Sequence, residues 1–330
     1  MTRAPFPYFG GKSEIAARAW EALGADATNY VEPFAGSLAV LLSRPNGAGS
    51  TETVNDIDGL LVNAWRGLKA DPRGVADAAD WPVSEIDLHA RHLRLVAARE
   101  SLTEHLIADP AYFDARLAAW WIWGACCWIG SGWCSGRGPW VLDGSGRVTK
   151  GNRGQGIHRQ LPHLGNRGQG IHRQLPHLGD RGRGLVEWFS VLARRLERVR
   201  ISCGEWRRVL GPSVTVRHGT TGVFLDPPYA ADCHSPYAAQ TSTVAAEVAA
   251  WAFENGGDPL LRIVLCGYSG EHTPPVGWRS VSWKARGGYG SQGEGRGREN
   301  AKRERLWLSP HCLPTSGETG HQRRLFGGAV

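Results

Sequence analysis

A chain of 330 residues with 42% hydrophobic and 21% charged content can bury one large core or a core domain carrying a second lobe. Its longest apolar stretch, Leu117 to Gly130, is short for a bilayer span, its N-terminus lacks a signal core, and its seven cysteines form no CxxC pair, so no membrane span, export or metal is expected. The formal charge of +7 is local: residues 137–217 hold 16 basic and 5 acidic residues and 279–305 hold 8 and 3, whereas 1–136 hold 11 and 16.

In chain order, TNYVEPFAGS (Thr28 to Ser37) reads as a short buried strand ending in a Gly-containing turn, and LAVLLSR continues as a helix. STETVNDID follows as a second strand ending in acids, and LLVNAWRGL has helical spacing, which makes a β-α-β start. From Pro72 to about Gly184 the character changes to helical patterns at 85–130 and then to a Gly/Trp/Arg-rich stretch, the signature of an inserted lobe. EWFSVLARRLERVR (Glu187 to Arg200) places Trp188, Phe189, Leu192, Leu196 and Val199 on one helical face. GVFLD is the next strand, VAAEVAAWAFENGG a helix, LRIVLCGYS a strand and ERLWLSP a last one. Strands alternating with helices imply a doubly wound α/β sheet split by the insertion.

Within the insertion GNRGQGIHRQLPHL occurs at Gly151 to Leu164 and again, letter for letter, at 165–178. The unit is too short and Gly-rich to bury a face, so it is expected as loops rather than a solenoid. Arg153, Arg159, Arg167 and Arg173 would track a phosphate backbone; a tolerated loop extension is the plainer alternative. The copied histidines carry no signal for a metal.

Four short motifs carry chemistry. PFPYFGGK (Pro5 to Lys12) joins aromatic residues to paired glycines, which allow close backbone approach to a ligand, and to Lys12, which can neutralise a carboxylate. VEPFAGS sits at a strand-to-helix turn where a nucleotide-like ligand can lie across the sheet edge. In NDID, Asp56 follows Gly36 by twenty residues, a spacing suited to an acid that binds ribose hydroxyls. There is no GxGxxG, so an adenosine ligand without phosphates fits better than a dinucleotide. VFLDPPYA (Val223 to Ala230) ends a buried strand in an acid, two prolines and a ring.

In this order the four motifs resemble the Dam family of S-adenosylmethionine-dependent DNA adenine methyltransferases, over residues 3–68 and about 220–309 and only faintly through the insertion. The resemblance implies an α/β fold, a Rossmann-like methyltransferase sheet with an inserted, mainly helical target-recognition lobe. The catalytic domain would occupy 1–70 and 215–310, the lobe 71–214 with its repeat at 151–178, and a flexible tail 311–330. It implies S-adenosylmethionine bound by Tyr8, Gly10, Gly11 and Lys12 near its methionine end, by Glu32, Pro33, Phe34 and Gly36 in the turn, by Asp56 at the ribose and by Asp226 at the transfer site.

An adenine exocyclic amine is a poor nucleophile because its lone pair is delocalised into the ring. Asp226 can accept one of its hydrogens and the Pro227 carbonyl the other, aiming the lone pair at the methyl for direct transfer. Pro228 holds the turn and Tyr229 offers a face to the extruded base. Double-stranded DNA is the expected partner, with Trp133, Arg137 and the repeat arginines as contacts. Two positions depart from the family: Tyr8 stands where some members have Trp, and FAGSL places Leu38 at the second glycine of FxGxG. Rival readings are transfer to the cytosine N4 amine and a catalytically silent DNA-binding protein, the latter favoured by Leu38. Trp120, Trp121, Trp123 and Trp128 read as core of the lobe. Gln322 to Phe326, QRRLF, resembles the peptide by which bacterial replication proteins dock on the sliding clamp. A monomer in the cytoplasm of a bacterial cell or phage-infected host is expected.

Overall fold

A computed structural model describes residues 3–8, 12–45, 51–128, 133–134, 140–142, 148–150, 184–228, 238–283 and 304–316. In chain order the elements are α1 (Ala16–Leu23), β1 (Asn29–Glu32), α2 (Ala39–Leu42), β2 (Thr51–Asp56), α3 (Gly59–Ala70), α4 (Pro72–Ala79), α5 (Glu85–Ala108), α6 (Ala115–Cys127) and β3 (Trp140–Leu142). Then come β4 (Val148–Lys150), α7 (Leu185–Leu196), β5 (Val199–Cys203), β6 (Thr221–Leu225), α8 (Ala238–Asn255), β7 (Leu261–Tyr268), β8 (Arg279–Ser282) and β9 (Glu304–Leu308).

One seven-stranded sheet runs in the order β5-β2-β1-β6-β7-β9-β8. It is parallel through β2, β1, β6 and β7 and antiparallel where β9 and β8 join. This is the Rossmann-like α/β arrangement expected from the alternation of strands and helices. Chain order reverses between β1, which leads to β2 on one side, and β6, which leads to β7 on the other. Ligands of such sheets bind outside the carboxyl ends of the two strands flanking that reversal.

The chain gathers into two compact units, one of Met1, Phe9–Val54 and Trp206–Val330, the other of Thr2–Tyr8 and Asn55–Glu205. In the first unit, Val223 and Leu225 of β6 join Val31, Ile263 and Leu265 of the neighbouring strands in a core closed by Val248 of α8. Strand alternation sends Gly222 to the opposite face, where a Cβ would lie 3.3 Å from Leu23 of α1. α1 and α8 therefore cover opposite faces of the sheet. Trp20 of α1 secures its face by donating to the Val40 carbonyl at 2.7 Å and packing 4.9 Å from the Tyr30 ring.

The second unit is built around α3, buried from Gly59 to Leu68 and packed by α4, α5, α6 and α7. Its helices start where carboxyl or hydroxyl side chains satisfy free amides: Asp58 accepts from Leu60, Asp71 from Gly74, Ser84 from Asp87 and Asp114 from Leu117. Phe6 wedges between Trp65 and Trp121 at 5.2 and 4.9 Å. Trp121 and Trp123 lie in this core, as expected, and Trp120 stacks with Arg116 and Arg91 at 5.3 and 5.6 Å. Among the described residues no helix is long and apolar enough to cross a membrane.

Two expectations about elements need correction, and one strand was not expected. The helix expected over Glu187 to Arg200 ends at Leu196, and Val199 opens β5 instead, because Val199, Ile201 and Cys203 turn inward with a period of two around exposed Arg200. The helix expected to run on to Gly257 ends at Asn255. β8, with one buried residue among four, has too little apolar pattern to announce itself. The second compact unit takes in α3, which packs with α5, α6 and α7.

Candidate active site

The inward parity of four strands assembles the site in the first unit. Since Val31, Val223, Leu225, Leu265 and Trp307 point toward α8, alternation turns Glu32, Asp226, Cys266 and Glu304 to the α1 face at or near the carboxyl edge of the parallel strands. Lys12 stands just before α1, its carbonyl accepting the first amides of that helix from Ile15 and Ala16 at 3.1 and 3.0 Å. Its ammonium lies 3.2 Å from Asp226 Oδ1 and 3.9 Å from Glu304 Oε2, and 6.0 Å from the centroid of the Trp283 ring.

The electrostatics follow from this crowding. Burial by itself would pull the Lys12 pKa down, but the Asp226 carboxylate, helped by Glu304, more than offsets it and holds the ammonium above the usual lysine range. Burial first, then Asp226, push the Cys266 thiol far up, so it stays neutral and gives the face a small apolar wall. Tyr30, raised first by burial and then by Glu32, remains a phenol and donates to Glu32 Oε2 at 3.0 Å. Asp226 and Glu304 both face the Lys12 ammonium and Glu32 lies on the same face, so among the described residues negative charge is in excess there, which suits a cationic ligand.

The turn after β1 brings Pro33, Phe34 and Gly36 to the same edge, beside β6 at the chain reversal. Phe34 leans on Trp206 with ring centroids 6.3 Å apart. Gly36 has φ +46° and Leu38 φ +55°, so the turn needs left-handed backbone twice. Glycine adopts that conformation freely and leucine at a cost of roughly 1–2 kcal/mol. Leu38 accepts it while fully buried, its amide donating to the Ala35 carbonyl at 2.8 Å. The departure from FxGxG therefore keeps the turn conformation of a glycine.

Pro227 is buried and Pro228 half-buried directly after Asp226; Tyr229 lies outside the described residues, as do Gly10 and Gly11. In the second unit, Asp56 ends β2, its Oδ1 accepting the Asp58 amide at 3.0 Å and its carbonyl the Gly204 amide at 2.9 Å. Tyr8 is exposed, two residues beyond the buried Phe6.

Of the expected DNA contacts, Trp133 is described. Its indole donates to the Trp121 carbonyl at 3.1 Å and packs 5.3 Å from the Trp128 ring and 5.4 Å from His92. Trp140 starts β3, paired with Lys150 in a small antiparallel ribbon. Arg137, Arg153, Arg159, Arg167 and Arg173, the repeat at 151–178, and the clamp-like peptide at 322–326 lie outside the described residues. Sequence reasoning missed Glu304, although an acid opening the apolar strand ERLWL was its available signal, and it missed Cys266 and Trp283.

The family model for D12 class N6 adenine-specific DNA methyltransferases matches residues 8–94. That span includes Tyr8, Lys12, the turn after β1 and Asp56, and it ends before Asp226. No curated protein matches the chain.

Proposed function

We propose that this chain, whose residues 8–94 match the family model of the D12 class N6 adenine-specific DNA methyltransferases, transfers a methyl group from S-adenosylmethionine to the N6 amine of adenine in DNA by the following division of labour. The cofactor supplies an electrophilic methyl on a sulfonium cation, and the carboxylate-rich α1 face fits that charge. Glu32, Pro33, Phe34 and Gly36 would hold it at the chain reversal, Asp56 would take its ribose hydroxyls, and Tyr8, Gly10, Gly11 and Lys12 would border its methionine end.

Asp226 accepts one hydrogen of the target amine and the Pro227 carbonyl the other, so the lone pair turns toward the methyl. Pro228 stiffens the turn, and Tyr229 stacks the adenine after it leaves the helix. No covalent intermediate on the protein is needed. The observation that carries this reading is the position of Asp226: it directly follows a fully buried strand at the reversal, on the face that also carries Glu32 and Lys12. Loss of labelled methyl transfer into DNA by Asp226→Ala, with an unchanged thermal midpoint, supports it. Full transfer by that variant contradicts it.

On the DNA side, the basic stretch from Arg137 through the repeat arginines supports binding to the phosphates of double-stranded DNA, with Trp133 at the edge of the lobe. The reading places the enzyme as a monomer in a bacterial or phage-infected cytoplasm. The tail peptide Gln322 to Phe326 would dock it on the sliding clamp.

A further inference from the structure

The structure assigns a positioning role to Glu304, a residue outside every motif and outside the span matched by the family: it shares the Lys12 ammonium with Asp226 and thereby sets how strongly Asp226 accepts the adenine amine. The inference rests on Asp226 being that acceptor.

Glu304 is held by the sheet rather than by a flexible loop. It opens β9 in register with Tyr268 of β7, and its carbonyl accepts the Trp283 amide at 3.3 Å. Its Oε2 lies 3.9 Å from Lys12 Nζ, while Asp226 Oδ1 lies 3.2 Å from the same nitrogen. Only 7% of the Lys12 side chain and 11% of that of Glu304 is exposed, so water screens little between them. Among the described residues, the other titratable groups on this face are Glu32 from β1, itself bonded to Tyr30, the neutral Cys266 from β7, and Tyr268, the register partner of Glu304.

An ammonium given wholly to Asp226 would drain the carboxylate's capacity to accept another hydrogen. Glu304 competes for that ammonium and adds its own negative charge nearby, and both effects keep Asp226 a stronger acceptor. Lys12 works in the other sense, since its charge keeps Asp226 ionised and fixes one oxygen so that the carboxylate cannot rotate. Reading it only as a ligand of the methionine carboxylate would miss this part.

The test is the pH dependence of single-turnover methyl transfer with saturating DNA, whose acid limb follows protonation of Asp226. Glu304→Gln removes a negative neighbour and a competitor for the Lys12 ammonium, so the Asp226 pKa falls. The limb then moves to lower pH and the plateau rate drops, since a weaker acceptor frees the lone pair less. Lys12→Gln removes the cation, so the Asp226 pKa rises and the limb moves to higher pH. Glu304→Asp, which keeps the charge, should stay near the parent limb.

Shifts of opposite sign support the role. Unmoved limbs, or shifts of the same sign, in variants with parental thermal midpoints overturn it, and if Glu304→Gln fails to fold, an unmoved limb in Lys12→Gln does so alone. Asp226→Asn run in parallel separates the two levels. Retained transfer there defeats the acceptor reading itself; lost transfer with an unmoved Glu304→Gln limb defeats only the role of Glu304.

Discussion

At the scale of single residues, Leu38 shows how a local backbone requirement outlives the residue that usually meets it. Its side chain is fully buried and its backbone left-handed. Truncation to alanine should cost about 2–5 kcal/mol in lost packing. Truncation to glycine loses the same contacts but relieves about 1 kcal/mol of backbone strain. Leu38→Gly should therefore melt no lower than Leu38→Ala, the reverse of the order in a helix, and a markedly lower midpoint for glycine would refute the strain. The departure was legible in the sequence as a missing glycine, but its consequence was not, since a φ angle is set by the turn and not by the letter. Glu32, Asp56 and Asp226 were legible because acids ending apolar strands stand out. Glu304 was not, because an acid at the start of a strand is common and only the pairing of β9 with β7 turns it toward Lys12.

Among the elements, α6 and the segment after it carry a similar lesson. A Cβ on Gly124 would fall 1.9 Å from the Trp133 ring, so this helix keeps a glycine for the tryptophan to lie against. Helix propensity alone would favour alanine by about 1 kcal/mol. Gly124→Ala should nonetheless destabilise the protein, by roughly 1–3 kcal/mol of overpacking, which a denaturant titration would read directly. Trp133→Ala should lower the thermal midpoint in the absence of DNA, because the indole is bonded to Trp121 and packed on His92 and Trp128. An unchanged midpoint would mean the ring serves only an outside partner. The sequence pattern correctly announced long α5 and α6, whose apolar positions recur over many residues. It failed at the join of α7 and β5, where Leu196 and Val199 fit both a helical face and an alternating strand, and only the exposed Arg200 between two inward residues decides for the strand.

For the whole molecule, charge distribution and topology divide the work between catalysis and substrate. The acidic α1 face lies at the chain reversal of the sheet, where the proposed cofactor would bind, while positive charge is concentrated in residues 137–217. Deleting one repeat copy, residues 165–178, removes Arg167 and Arg173. If both meet phosphates, the slope of log affinity for duplex DNA against log salt should become shallower by about 1.8, with weaker binding at low salt. An unchanged slope would make the repeat a bystander.

The central claim, that this sheet edge methylates the exocyclic amine of adenine through Asp226, is tested most directly by product identity. The protein is incubated with radiolabelled S-adenosylmethionine and duplex DNA, and the DNA is digested to nucleosides. Label should appear in N6-methyladenosine deoxynucleoside and vanish with Asp226→Ala. Label in N4-methylcytosine, or no label from a protein that still binds DNA, would contradict it.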